Sequence, residues 1–264
     1  MQKKDLWNTT VFQTSPIIQQ LRPLTQFFDT FEDWPKIADY KARFVEQGLK
    51  ITPVPQSGKI NTFEEQYEPR VYLKKELQTR TCNWHDFFNA MIWLRFPRTK
   101  KTLNHLHFNK ASKRSRGSNR SWLENKITQF DECGAVLICK DNKLLKLVEQ
   151  HQWQSLFIDN ADKFKNSFEC VIFGHAIFEK ALSPYIGLTC HCLMIADEKL
   201  LEKIKNGHYT ELDSHLAEIW EEQLSRQRPQ FQPFPILGLP GYWPQQNMDF
   251  YKNTSYFRKK PEKN

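Results

Sequence analysis

Apolar residues recur at three- and four-residue intervals over several stretches of the chain, and in short unbroken runs over others. The first pattern predicts helices and the second predicts strands. Trp84, Phe87, Phe88, Met91 and Leu94 form the clearest helical stripe. Asn83 can cap that helix, Asp86 stands where the first free N–H groups lie, and Pro97 closes it. A second helix is expected from about Arg98, carrying Leu103 and Leu106, and a third over 121–130. Further helices are expected over 144–157, after Gly174 until Pro184, and near 197 and 210–224 on the surface. The runs 134–139, 168–173 and 188–195 predict strands. Nearer the start, Thr30 is expected to cap a helix carrying Ile37, Tyr40 and Phe44. Residues 49–55 read as extended, 70–73 as an edge strand, and 110–119 as a mobile loop. Prolines 229, 233, 235, 240 and 244 predict an extended tail. Together these give a helix-rich α+β fold: a single domain over 1–264 around a small mixed or antiparallel sheet. Its core spans about 30–228, and a proline-rich segment, 229–264, wraps over it.

Composition narrows the class. The 264 residues include 20 Phe, 8 Trp and 8 Tyr against only 9 Gly, and 39% are hydrophobic. That excludes low-complexity and collagen-like chains and supplies enough apolar surface for a core. No apolar run reaches the ~18 residues of a membrane span. No leader-like apolar stretch follows Met1, and none of the six cysteines forms a Cys-x-x-Cys pair, so a reduced, cytoplasmic protein is expected. Cys190-His191-Cys192 has half the spacing of a zinc site and lacks the other half. The net charge of +8 is uneven. Residues 95–120 hold nine Lys or Arg and no acid, whereas 197–222 hold eight acids against three lysines. Such a basic stretch suits phosphate, nucleic acid, an anionic surface or the acidic stretch itself; equally, it can be a solvated face.

Phosphate-loop, dinucleotide-loop, zincin and nucleophile-elbow motifs are absent, although Phe173-Gly174-His175 has a strand–turn–helix outline with histidine at the turn. Reactive side chains concentrate instead in four places. On the helix after Asn83, His85, Asp86 and Asn89 share a polar edge, and His175 and Glu179 stand four apart on another helix. His191 lies inside a strand, and Asp131 just before one. Imidazoles with carboxylates suit proton transfer near neutral pH, or a divalent metal of the Zn, Mn or Fe type. The candidate catalytic residues are therefore His85, Asp86, His175, Glu179 and His191; the candidate metal ligands are His85, His175, His191 and Asp131. Arg80, Asn89, Arg98 and Lys100 are candidates to hold an anionic substrate, the last two at a helix start whose N–H groups face outward. Each also has a plainer role: Asp86 as a cap, His175 at a helix start, His191 as a satisfied core residue, Glu179 in a surface pair. His105 and His107 read as exposed helix residues.

Several segments resemble a bacterial, specifically proteobacterial, family of unknown function. They are Thr79-Arg80 with Asn83-Trp84-His85-Asp86, the run from Phe96 to Lys100, and Phe130-Asp131-Glu132-Cys133-Gly134-Ala135. Phe173-Gly174-His175 with Glu179-Lys180, and Leu239-Pro240-Gly241-Tyr242-Trp243 with Phe250-Tyr251, complete the set. The resemblance implies a soluble single-domain protein and supplies no activity. The residues themselves favour a hydrolase or phosphodiesterase-like enzyme on an anionic, phosphate-bearing substrate. Two alternatives are a non-catalytic nucleic-acid-binding protein using 95–120 and a scaffold docking through Tyr242 and Trp243.

Overall fold

A computed structural model describes residues 5–56, 58, 60, 62–115, 117–222 and 231–261. Two short helices, α1 (Val11–Thr14) and α2 (Pro16–Gln19), precede α3 (Ile37–Glu46). Strands β1 (Thr52–Pro55) and β2 (Glu76–Thr79) pair in parallel around α4 (Tyr67–Lys74). Three helices follow: α5 (Trp84–Arg95), α6 (Pro97–Ala111) and α7 (Trp122–Cys133). β3 (Gly134–Cys139), α8 (Asn142–Glu149), α9 (Ala161–Ser167), β4 (Phe168–Ile172) and α10 (His175–Lys180) come next. The chain continues through β5 (Thr189–Ala196), α11 (Glu198–Lys205), α12 (Thr210–Glu222), β6 (Gln232–Pro235) and α13 (Met248–Tyr251).

The main sheet runs β4-β3-β5-β6. β3 is antiparallel to β4 and parallel to β5, and β5 is antiparallel to β6, so the sheet is mixed and the fold is the expected helix-rich α+β. All six residues of β3 are buried, which explains why it reads as an unbroken apolar run. Hydrophobic residues from Phe12 to Phe257 join one buried cluster. The tail does more than cover that cluster: β6 adds a strand, and the Tyr256 hydroxyl donates to the Leu188 carbonyl at 2.7 Å while accepting from the Leu237 N–H. Pro229 lies outside the described residues.

Local expectations fail in four places, each for a physical reason. Residues 70–73 are helical, not an edge strand. Pro69 sits in the first turn of α4, where a missing N–H costs nothing, and Lys75 ends the helix at φ 58°. The helix expected from Thr30 starts only at Ile37, because Pro35 disfavours helical geometry at Trp34. His151, at φ 54°, breaks the expected helix over 144–157 after α8. α6 extends through Ala111 into the stretch expected to be loop; of that stretch, Arg116 lies outside the described residues.

Gly174 joins β4 to α10 and sets how closely the two approach α7. A Cβ there would press into the backbone of Glu132 and Cys133. Its φ of −66° is ordinary, so space and not conformation demands glycine. Gly174→Ala should therefore lower unfolding stability by about 1–3 kcal/mol in urea melts; an unchanged midpoint would refute this account of the corner.

Candidate functional site

Five helices converge on one chain of polar side chains. Asn83 caps α5 through its side-chain oxygen, which accepts from the Asp86 N–H at 3.0 Å, and this orients the first turn bearing His85. His85 Nδ1 lies 2.7 Å from Glu179 Oε2 of α10. Its Nε2 lies 2.9 Å from Nε2 of His175, the first residue of α10. His175 Nδ1 faces Asp131 Oδ2 of α7 at 3.8 Å. Asp131 Oδ1 accepts from Lys100 Nζ of α6 at 2.6 Å, and the same ammonium donates to Asn89 Oδ1 at 3.0 Å. Asn89 then donates to the Tyr67 hydroxyl at 2.8 Å. The series runs from solvent inward: the side chains of Glu179, His85 and His175 are 41%, 30% and 6% exposed, and that of Lys100 3%.

The two histidines are held in opposite protonation preferences. The hydrogen bond to Glu179 holds His85 above its ordinary value despite partial burial, and holds Glu179 below its own. Burial pushes His175 down to about 4, with Asp131 opposing and Lys100 assisting. Burial alone would raise Asp131, but Lys100 and His175 outweigh it and hold the carboxylate below its usual range. In one proton arrangement compatible with the geometry, His85 donates from Nδ1 to Glu179 and from Nε2 to His175 Nε2; His175 Nδ1, 3.8 Å from Asp131, has no hydrogen-bond partner among the described residues.

Several expected site residues stand elsewhere or serve otherwise. Asp86 is salt-bridged to Arg80, whose Nε and Nη2 reach its two oxygens at 3.0 and 2.8 Å; the Arg80 N–H adds a third bond. His191 does not join the cluster. It bonds Gln129 at 3.0 Å and sits opposite Gly134 of β3 and Pro233 of β6, as strand alternation directs. Asn89 and Lys100 are interior groups that tie helices together and do not face a substrate. The anion corner at the start of α6 exists but is filled from within. Asp213 of α12 accepts from the N–H groups of Arg98 and Thr99 at 2.9 and 2.8 Å, and Arg98 Nη1 donates to Ser214. Among the described residues, no group of three or more His, Cys, Asp or Glu is arranged to hold a metal ion. The donor geometry agrees: two imidazole nitrogens on a tetrahedral ion at ~2.0–2.1 Å lie ~3.3 Å apart. His85 and His175 approach more closely than that, as a hydrogen-bonded pair.

Sequence reasoning missed Tyr67, Glu68 and Asn104. Lys100, Asn104 and His107 recur at helical spacing, and all three are buried, so His107 is not the exposed residue expected. A polar stripe flanked by Leu103 and Leu106 was the available signal. Glu68 bonds Asn104, and desolvation raises it above the ordinary carboxylate value, opposite to Asp131. Carboxylates pushed apart in this way mark sites of acid–base chemistry.

The fold and cluster define a helix-rich α+β protein with a histidine–carboxylate relay entering its core. Residues 51–261 match the profile of a family described as a protein of unknown function, DUF3025, and the chain belongs to that family. No curated protein and no solved structure matches it.

The pKa directions give signed expectations. His85 contributes stability fully below its ordinary 6.5 and loses that contribution as pH rises through its raised value; Glu179 contributes above 4.5 and loses it as pH falls through its lowered value. His175 acts in the opposite sense, since the unfolded chain takes up a proton below 6.5 that the native ring refuses until about 4. NMR titration of Glu179→Gln should show the His85 ring titrating at lower pH than in the wild type. In His175→Gln, the part of the acid destabilisation between those two pH values that His175 causes should disappear. An unmoved His85 titration would show that Glu179 does not set it.

Proposed function

We propose that the protein is an acid–base enzyme of the hydrolase class, phosphodiesterase-like, working at the outer end of the relay. The observation that carries this is the Glu179–His85–His175 series, in which a partly exposed imidazole is held between a carboxylate and a buried neutral imidazole. Of the two imidazoles His85 is the one that reaches solvent, so it is the group assigned to exchange a proton with substrate. Glu179 fixes its orientation and favours the imidazolium, which gives its proton to the leaving oxygen as a water molecule attacks the ester centre and forms the new bond; the proton of that water passes to solvent, and the neutral ring is reprotonated from solvent. His175 and Asp131 position His85 from within. Arg80 spends Nε and Nη2 on Asp86, which leaves Nη1 to bind an anionic substrate. Asp86 is a positioning residue in this scheme, and no step is assigned to His191, Arg98, Lys100 or a metal.

The nucleic-acid alternative loses support because part of the positive charge of 95–120 is engaged internally. Arg95 lies over the Tyr209 ring, Lys100 pairs with Asp131, and Arg114 pairs with Glu124. The scaffold alternative loses support because Tyr242 and Trp243 pack on the core, with the Tyr242 hydroxyl accepting from Gln20. Aryl phosphodiesters, phosphomonoesters and carboxylic esters form the test panel. His85→Asn and Glu179→Gln should each lower kcat by about 10²–10⁴ on the substrate turned over. Equal turnover by wild type and His85→Asn eliminates the assigned role, and no turnover of any panel member by wild type eliminates the hydrolase reading.

A further inference from the structure

A cleft of about 830 Å³ opens on the side of α6 away from His85, and the relay leaves it unused. Residues 47–51, α4, α6 and α12 line it, with half-buried Leu49, Ile51, Tyr72 and Pro97 as its apolar surface and Trp93, 1% exposed, buried beneath. Its size is that of a site for a small organic ligand. The cations on its rim differ in how far they are already engaged. Arg98 donates to Ser214, and Lys75 reaches the Tyr72 carbonyl and lies over the Tyr72 ring. Lys50 and Lys101 are exposed and have no ion-pair partner among the described residues. The opposite wall carries Glu218 and Glu221, the latter accepting from the Thr102 hydroxyl.

We infer that this cleft binds a small organic monoanion with an apolar body. The body lies against Leu49, Ile51 and Pro97 and the anionic group reaches Lys50 and Lys101. The two glutamates argue against a polyanion, because a nucleic-acid strand laid along the cleft would bring phosphates against them. This inference stands apart from the hydrolase reading, since neither His85 nor Glu179 lines the cleft. The cleft does adjoin the relay through one side chain. The Trp93 indole N–H donates to the Tyr67 hydroxyl at 3.4 Å, and Lys100 Nζ stands 5.3 Å from its ring centre. Trp93 thus lies between the cleft and the inner end of the relay.

The test uses the full chain and anilinonaphthalene sulfonate, an aryl monoanion, titrated by calorimetry at low salt. One site per chain is expected. The exposed double variant Lys50→Glu/Lys101→Glu should bind about tenfold or more weakly with an unchanged urea midpoint, and Glu218→Gln should bind about two- to threefold more tightly. No wild-type binding below about 1 mM overturns the proposal. So does equal affinity in the wild type and the charge-reversed variant, which would put the probe elsewhere. Displacement of the probe by a single-stranded oligonucleotide of equal or higher affinity would also overturn it, in favour of a nucleic-acid groove.

Discussion

The buried pair between Lys100 and Asp131 is the interaction on which the arrangement of the helices depends. An ammonium that is 3% exposed is tolerated only when its desolvation is offset, and here a carboxylate at 2.6 Å and an amide oxygen at 3.0 Å do so. Losing one partner of such a pair costs about 3–5 kcal/mol, because the other charge stays buried alone. The three residues belong to three helices, so α5, α6 and α7 must hold one geometry for the ammonium to be satisfied. Asp131 then faces His175, which extends the constraint to α10 and through it to His85. The site is therefore an outgrowth of a structural necessity: the carboxylate that neutralises the buried lysine also faces the buried imidazole.

Unequal burial and the Glu179 partner explain why two histidines 2.9 Å apart behave differently. His175 is enclosed on the first turn of α10 against α7, where Gly174 lets the backbones touch, and its charged form is disfavoured by burial and by the nearby ammonium. His85 is one step closer to water and gains Glu179 as a counter-charge. A gradient of solvation over two side chains, with Glu179 at its outer end, shifts the two rings in opposite directions.

The charge asymmetry along the chain is also resolved internally in part. α12, from the acidic stretch, packs on α6, from the basic one, and Asp213 takes the place at the α6 N-terminus that an external anion would occupy. Arg95, Lys100 and Arg114 are also engaged by the protein itself, whereas Lys101, Lys110, Lys113 and Arg120 stay exposed. No helix among the described residues is long and apolar enough to cross a membrane.

Local determinants were legible in the residues alone. The Asn83 cap and the Pro97 break delimit α5, the Ser121–Glu124 capping box starts α7, and the unbroken run from Gly134 to Cys139 is the central strand. The pairing of His85 with His175 and Glu179 was legible only as two polar edges of separate helices, 90 residues or more apart. Whether such edges meet depends on packing that brings α5 against α10, and no periodicity within either helix encodes it. The misjudged residues make the same point. His191 has the chemistry of a site residue, but strand alternation and its neighbours turn it to Gln129; Lys100 has the chemistry of a surface anion binder, but α7 encloses it. Side-chain type and spacing determined which groups were available and where each helix and strand began. Tertiary structure alone decided which charges face each other, because desolvation and pairing depend on neighbours that are distant in the chain.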